Sequence, residues 1–163
     1  MTANRDRTTA QAQRAIVITR VFDAPRELVW KAWTEPEHFA RWYGPKGFTT
    51  PVCSIDLRVG GKYLNCMRSP EGQDFWSTGV FREVVAPERL VMTGSRADKD
   101  GNVDADWPME TQISVAFEEA DGRTKVTLTH AGMPAGKGRD MAEAGWNESL
   151  DKLADVLAES RRA

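Results

Sequence analysis

Trp30-Lys31-Ala32-Trp33-Thr34-Glu35-Pro36-Glu37-His38-Phe39-Ala40-Arg41-Trp42-Tyr43-Gly44-Pro45 carries three of the chain's six tryptophans on two short helical turns. Thr34-Glu35-Pro36 separates the turns and Gly44-Pro45 stops the second, because proline cannot continue the hydrogen-bond ladder. Large aromatics crowded at such a joint need a broad apolar surface to lie against. The flanking sequence supplies a sheet for that purpose. On its N-terminal side, Ile16 to Phe22 is β-branched and alternating, the pattern of a strand. Asp23-Ala24-Pro25 then offers a capping Asp and an early Pro to the first helix. Thr34 and Glu37 have the spacing of a capping box for the second.

Strands dominate the middle of the chain. Val52 to Val59 and Lys62 to Arg68 flank Gly60-Gly61, a hairpin signal. Phe75 to Val85, Arg89 to Thr93, Met109 to Glu119 and Thr124 to His130 complete a run of about six strands after the helices. The period then changes. Trp146, Leu150, Leu153 and Leu157 recur at helical spacing, so one face of a helix from about Gly138 to Leu157 is apolar. Glu148 and Lys152 form an i,i+4 pair on that helix, whose apolar stripe must pack on the sheet.

Composition excludes several classes. Basic and acidic residues number 22 and 24, and no basic stripe interleaved with aromatics stands out, so nucleic acid is not an expected partner. No apolar run approaches the ~18 residues of a membrane span. The polar stretch from Met1 to Arg14 has no apolar core of a secretory signal, which points to the cytoplasm. Residues 1–15 read as a disordered arm and 16–160 as one domain. Cys53 and Cys66, on either side of the hairpin glycines, read as neighbouring free thiols. Two histidines and two separated cysteines fall short of a zinc set. Asp98 to Asp104 lacks both the twelfth-position Glu and the flanking helices of a calcium loop, and reads as a solvated connection. Neither metal nor cofactor is expected.

The same order of elements resembles the START-like (Bet v 1-like) helix-grip superfamily. It resembles more narrowly the bacterial proteins related to the C-terminal domain of the activator of Hsp90 ATPase. The resemblance rests on Phe22-Asp23-Ala24-Pro25 with Val29-Trp30; on Trp33-Thr34 and Pro36-Glu37 leading to Trp42-Tyr43-Gly44-Pro45; and on Asp56 to Lys62. It continues through Gly79 to Leu90, Thr124 to His130, and Gly145-Trp146 with Ser149-Leu150 and Leu153. It implies an α+β fold, a seven-stranded antiparallel sheet curled around the C-terminal helix, with a cavity between them. It also implies an Hsp90-type chaperone as a candidate partner, although only about fifteen residues precede the first strand here.

Strand parity then names the walls of such a cavity. Tyr63, Asn65 and Met67 share the inward face of one strand, Ile113, Val115 and Phe117 that of another, and Val126, Leu128 and His130 that of the last. The helix opposes them with Trp146 and Leu150. Trp33, Trp42, Phe48, Trp76, Phe81, Met92 and Met133 complete the candidate ligand contacts, whereas Trp30 reads as core. Three functions are compatible with these walls. The first is binding of a small apolar or aromatic molecule, a lipid or metabolite, with Asn65, Tyr63 and His130 orienting its polar end. The second is a cyclase-, aromatase- or hydrolase-like reaction with His130 as the acid–base group, beside Tyr63 or Glu110. No nucleophile is placed beside His130 by spacing, and a hydrogen-bonded structural histidine is the simpler reading. The third is a co-chaperone role. Monomer and homodimer both remain open.

Overall fold

The computed structural model describes residues 15–106 and 109–162; the expected N-terminal arm lies almost wholly outside them. The elements run β1 (Ile16–Phe22), α1 (Arg26–Thr34), α2 (Pro36–Phe39), β2 (Thr49–Ile55), β3 (Lys62–Arg68), β4 (Asp74–Val85), β5 (Arg89–Ala97), β6 (Glu110–Ala120), β7 (Arg123–Ala131) and α3 (Lys137–Arg162). All seven strands form one antiparallel sheet in the order β1-β7-β6-β5-β4-β3-β2, so the first strand returns beside the last. This is the curled α+β sheet with a long C-terminal helix and two short helices after the first strand. No helix among the described residues is long and apolar enough to cross a membrane.

The apolar stripe of α3 lies on the sheet as its spacing requires. Leu150, Leu153 and Leu157 are buried against a core that includes Ile16, Phe22, Val126 and Leu128. Full burial of a leucine stabilises by roughly 1.5–3 kcal/mol, so three on one face hold the helix down. Trp30 is core as expected and meets Phe117 edge to face at 5.3 Å.

Local chemistry departs from expectation at several joints. Pro25, not Asp23, occupies the N-cap of α1, and no side chain caps it. Thr34 ends α1 instead of starting α2. Its hydroxyl donates back to the Trp30 carbonyl at 2.9 Å, Glu35 takes the next N-cap, and no capping box forms. A threonine hydroxyl in the last turn finds the helix carbonyl four residues back before it reaches forward. β2 starts at Thr49 and ends at Ile55, not Val59, because the Asp56 N–H closes on the Lys62 carbonyl and the loop inside that bond leaves the sheet. Cys53 pairs with Asn65 and Cys66 with Val52, so the two thiols occupy adjacent rungs with opposite faces; both are free. Asp98 folds its own loop by accepting from the Asp100 and Asn102 N–H groups. Among the described residues no group of three or more His, Cys, Asp or Glu is placed to hold a metal.

One glycine shapes the concave face. Direct pairing between β4 and β5 passes from Thr78 with Ser95 to Phe81 with Met92, leaving a gap at Gly79 and Val80. The Val80 N–H donates to the Thr93 hydroxyl at 2.9 Å, and the Thr93 carbonyl accepts from the Tyr63 hydroxyl at 2.7 Å. Tyr63 reaches across β4 because Gly79 has no side chain. A Cβ there would stand 2.6 Å from the Tyr63 ring and would also collide with the Thr93 carbonyl.

Candidate functional site: an aromatic-roofed cavity

The cavity lies between a floor of strand residues and a roof of helix and loop residues. Ile55, Tyr63, Asn65, Phe81, Met92 and Ile113, one or two from each of β2 to β6, form the floor. Trp33, Phe39, Tyr43 and Trp146 form the roof. Roof rings hold one another in place. Trp33 stacks on Trp146 at 6.0 Å between centroids and an interplanar angle of 21°, and Phe39 stacks on Tyr43 at 4.7 Å. The cavity volume is about 40 Å³. A water needs roughly 10–15 Å³ of such space, so the resting cavity holds no more than a few waters.

A strap formed by residues 44–48 carries the roof and is tied to α3. The Gly44 N–H donates to the Ser149 hydroxyl at 3.0 Å and the Lys46 N–H to a Glu148 carboxylate oxygen at 2.9 Å. Lys152 Nζ donates to the carbonyls of Gly44 at 3.1 Å, Pro45 at 3.4 Å and Phe48 at 3.2 Å. Burial lowers the Lys152 pKa, with the Glu148 charge acting in the opposite sense. Lys152 therefore reads as a fastener for the strap more than as a partner for Glu148. Gly44 makes the turn possible, since its φ of +106° belongs to glycine.

His130 stands behind Trp146. The Trp146 indole N–H donates to His130 Nδ1 at 3.0 Å, and His130 Nε2 lies 2.8 Å from the Thr111 hydroxyl. Thr111 in turn donates to the Gly94 carbonyl at 3.0 Å. An indole only donates, so Nδ1 must be unprotonated and Nε2 must carry the proton. Burial agrees, lowering the His130 pKa to about 4. Both ring nitrogens are occupied, so His130 has no lone pair or proton to offer a substrate. Tyr63 likewise spends its hydroxyl on Thr93, and burial raises its pKa. Of the three residues expected to orient a polar group, Asn65 alone keeps an unengaged donor: its carbonyl oxygen accepts from the Ser77 hydroxyl at 3.1 Å, leaving the NH2.

The structure brings together Trp33, Tyr63, Asn65, Phe81, Met92, Ile113 and Trp146 from the sequence-based set. Val115 and Leu150 point inward but are packed solid in the core. Trp42 is fully buried, donates to the Ala32 carbonyl at 2.9 Å and packs on Trp33 and Phe39. The cavity side of that helical turn belongs instead to its neighbour Tyr43, whose phenol burial pushes up in pKa. Phe48 ends the strap, 6.2 Å from Phe75, and Met67 sits beside it, against Gly44. Trp76 pairs opposite Cys66 and so occupies the face away from the cavity. Met133, in the β7–α3 connection, is not among the lining residues. Phe39, Tyr43 and Ile55 were missed. The signal for the first two was present in the opening stretch, where they lie four apart and share a helical face.

Comparison with known proteins places this geometry. A family model described as activator of Hsp90 ATPase homolog 1-like protein matches residues 23–158. A crystal structure of a Chromobacterium violaceum protein is 27% identical, with a TM-score of 0.79 over 89% of this chain and 97% of the other. A Nitrosomonas europaea protein, also 27% identical, gives 0.75 over 91% and 97%. The AHSA1 protein of Silicibacter pomeroyi, 26% identical, gives 0.76 over 90% and 99%. No curated protein matches the sequence.

Proposed function

This chain belongs to the activator of Hsp90 ATPase homolog 1-like family, within the helix-grip superfamily, and from that premise we propose that it binds a small apolar or aromatic molecule between sheet and helix. The observation that carries the proposal is the lining: rings face inward from the roof at Trp33, Tyr43 and Trp146 and from the floor at Tyr63 and Phe81. Aromatic faces on both sides suit a flat guest. The resting volume is well below the ~300 Å³ of a drug-sized site. A guest therefore enters by displacing wall side chains, and half-buried Tyr43 and Met92 are placed to yield. Methionine adapts its shape at low cost. A guest hiding about 250 Å² of apolar surface gains roughly 6 kcal/mol before the costs of ordering.

Titrating the protein with a panel of small aromatic and apolar compounds tests this, because Trp33 and Trp146 emission must respond when a guest lies against them. Saturable quenching, matched by a ligand-bound mass in native mass spectrometry, is the expected result. A flat response across the panel, with no co-purified molecule, removes the proposal. The family description favours a second reading, contact with an Hsp90-type chaperone. Stimulation of that chaperone's ATPase by added protein is its measure.

A further inference from the structure

Trp33 is only 4% exposed, yet its Nε1–H has no acceptor among the described residues. An unmet buried donor costs about 1–3 kcal/mol, and native interiors hold few of them. The neighbouring indole of Trp146 shows the ordinary outcome, since its N–H is taken by His130. Trp33 is also a cavity residue, stacked on Trp146 at the roof. The floor residue Asn65 lines the same cavity and is 4% exposed; its carbonyl oxygen is engaged by Ser77, and its NH2 makes no hydrogen bond among the described residues. Trp33 and Asn65 thus bring two unspent N–H donors to the lining, and neither group can accept in their place. A pure hydrocarbon guest would leave both unmet.

Charge narrows the class further. No lysine or arginine lines the cavity. Tyr43 and Tyr63 are kept in their neutral forms by burial. Arg96 pairs with Ser77 in register but is exposed and outside the lining. A carboxylate placed between these walls would lose its hydration with no cation to replace it, a loss of several kcal/mol.

We propose that the guest carries a neutral oxygen acceptor on a flat apolar frame, as an aromatic ketone, aldehyde or ester does, and that this oxygen receives the Trp33 indole N–H with Asn65 as second donor. The inference rests on the cavity being a ligand site and adds what the ligand must offer. Three near-isosteric probes separate the possibilities by calorimetric titration: acetophenone, α-methylstyrene, in which CH2 replaces the oxygen, and benzoate. The expected order is acetophenone tightest, α-methylstyrene about tenfold weaker, and benzoate weakest. In a ¹⁵N–¹H spectrum, the indole signal absent from Trp33→Phe shifts with acetophenone and not with α-methylstyrene. Trp33→Phe also brings the first two probes toward equal affinity. Equal binding of acetophenone and α-methylstyrene by the unaltered protein overturns the inference and leaves the apolar binding site standing. Tightest binding by benzoate overturns the neutral oxygen in favour of an anion. Failure of all three overturns the inference, while the broader panel above decides separately whether the cavity is a ligand site.

Discussion

On the β6–β7 side of Trp146, polar groups close a chain: indole to imidazole, imidazole to threonine, threonine to the Gly94 carbonyl. At the cavity, by contrast, the Trp33 indole N–H is unmet and the Asn65 NH2 makes no hydrogen bond among the described residues. The two halves are built from similar residues and meet at Trp146, which lines the cavity and donates to His130. Completed hydrogen bonds and solid leucine packing mark the half that holds α3 on the sheet. Unspent donors and half-buried walls mark the half that can take something in. A polar residue's meaning in this fold is set by whether its partners are already present, not by its type.

The contrast is strongest in packing. Leu153→Ala, in the closed half, should lose about 4 kcal/mol in urea unfolding, whereas Met92→Ala at the cavity wall should lose no more than about 2, since less is buried there to begin with. Similar losses at the two sites would erase the distinction. Titration comes next. An unfolded histidine takes its proton near pH 6.5, but the folded His130 resists until about 4. Between those values the unfolded chain binds more protons, so this contribution is complete above pH 6.5 and lost as pH falls to 4. The slope is about 1.4 kcal/mol per pH unit, roughly 3 kcal/mol in all. His130→Gln should flatten that part of the stability profile, and an unchanged profile would break the closed chain.

Lys152→Met removes three donations to the strap. We expect a loss of about 2 kcal/mol and faster hydrogen exchange at the amides of Lys46 to Phe48. Exchange unchanged from the unaltered protein would show that the roof does not depend on α3. The smallest effect is the sharpest comparison. Trp42→Phe gives up a bond to the Ala32 carbonyl, while Trp33→Phe gives up none. The first should therefore lose about 1 kcal/mol more than the second, and the reverse order would remove the basis for calling Trp33 unspent.

Much of this could be read from the chain. The Gly60-Gly61 signal places β3 at Lys62–Arg68, and inward parity holds for Tyr63, Asn65, Ile113 and Leu128. Helical spacing finds the three leucines of α3. The errors have a common cause: they required knowing a neighbour distant in sequence. Trp76 faces outward because β4 is registered so that it meets Cys66, and only the paired strand specifies that. Trp42 and Tyr43 exchange roles because the side of a single helical turn that meets the sheet depends on how the strap is tied to α3. His130 looks catalytic in isolation, but its three-bond chain draws on β5, β6 and α3, which no spacing reveals. The unmet Trp33 donor is invisible for the same reason: an absence of partners is a property of the assembled fold.

Gly79 constrains how such a protein diversifies. With the Tyr63 ring laid over a bare backbone and clamped to Thr93, the cavity's lower surface has no room for a new side chain at that rung. Room for change lies at Met92 and above, where Phe39, Tyr43 and Trp146 sit on a short helix, a loop and the first half of the long helix. At the Gly79 rung the foundation is closed to variation, and the ceiling is not.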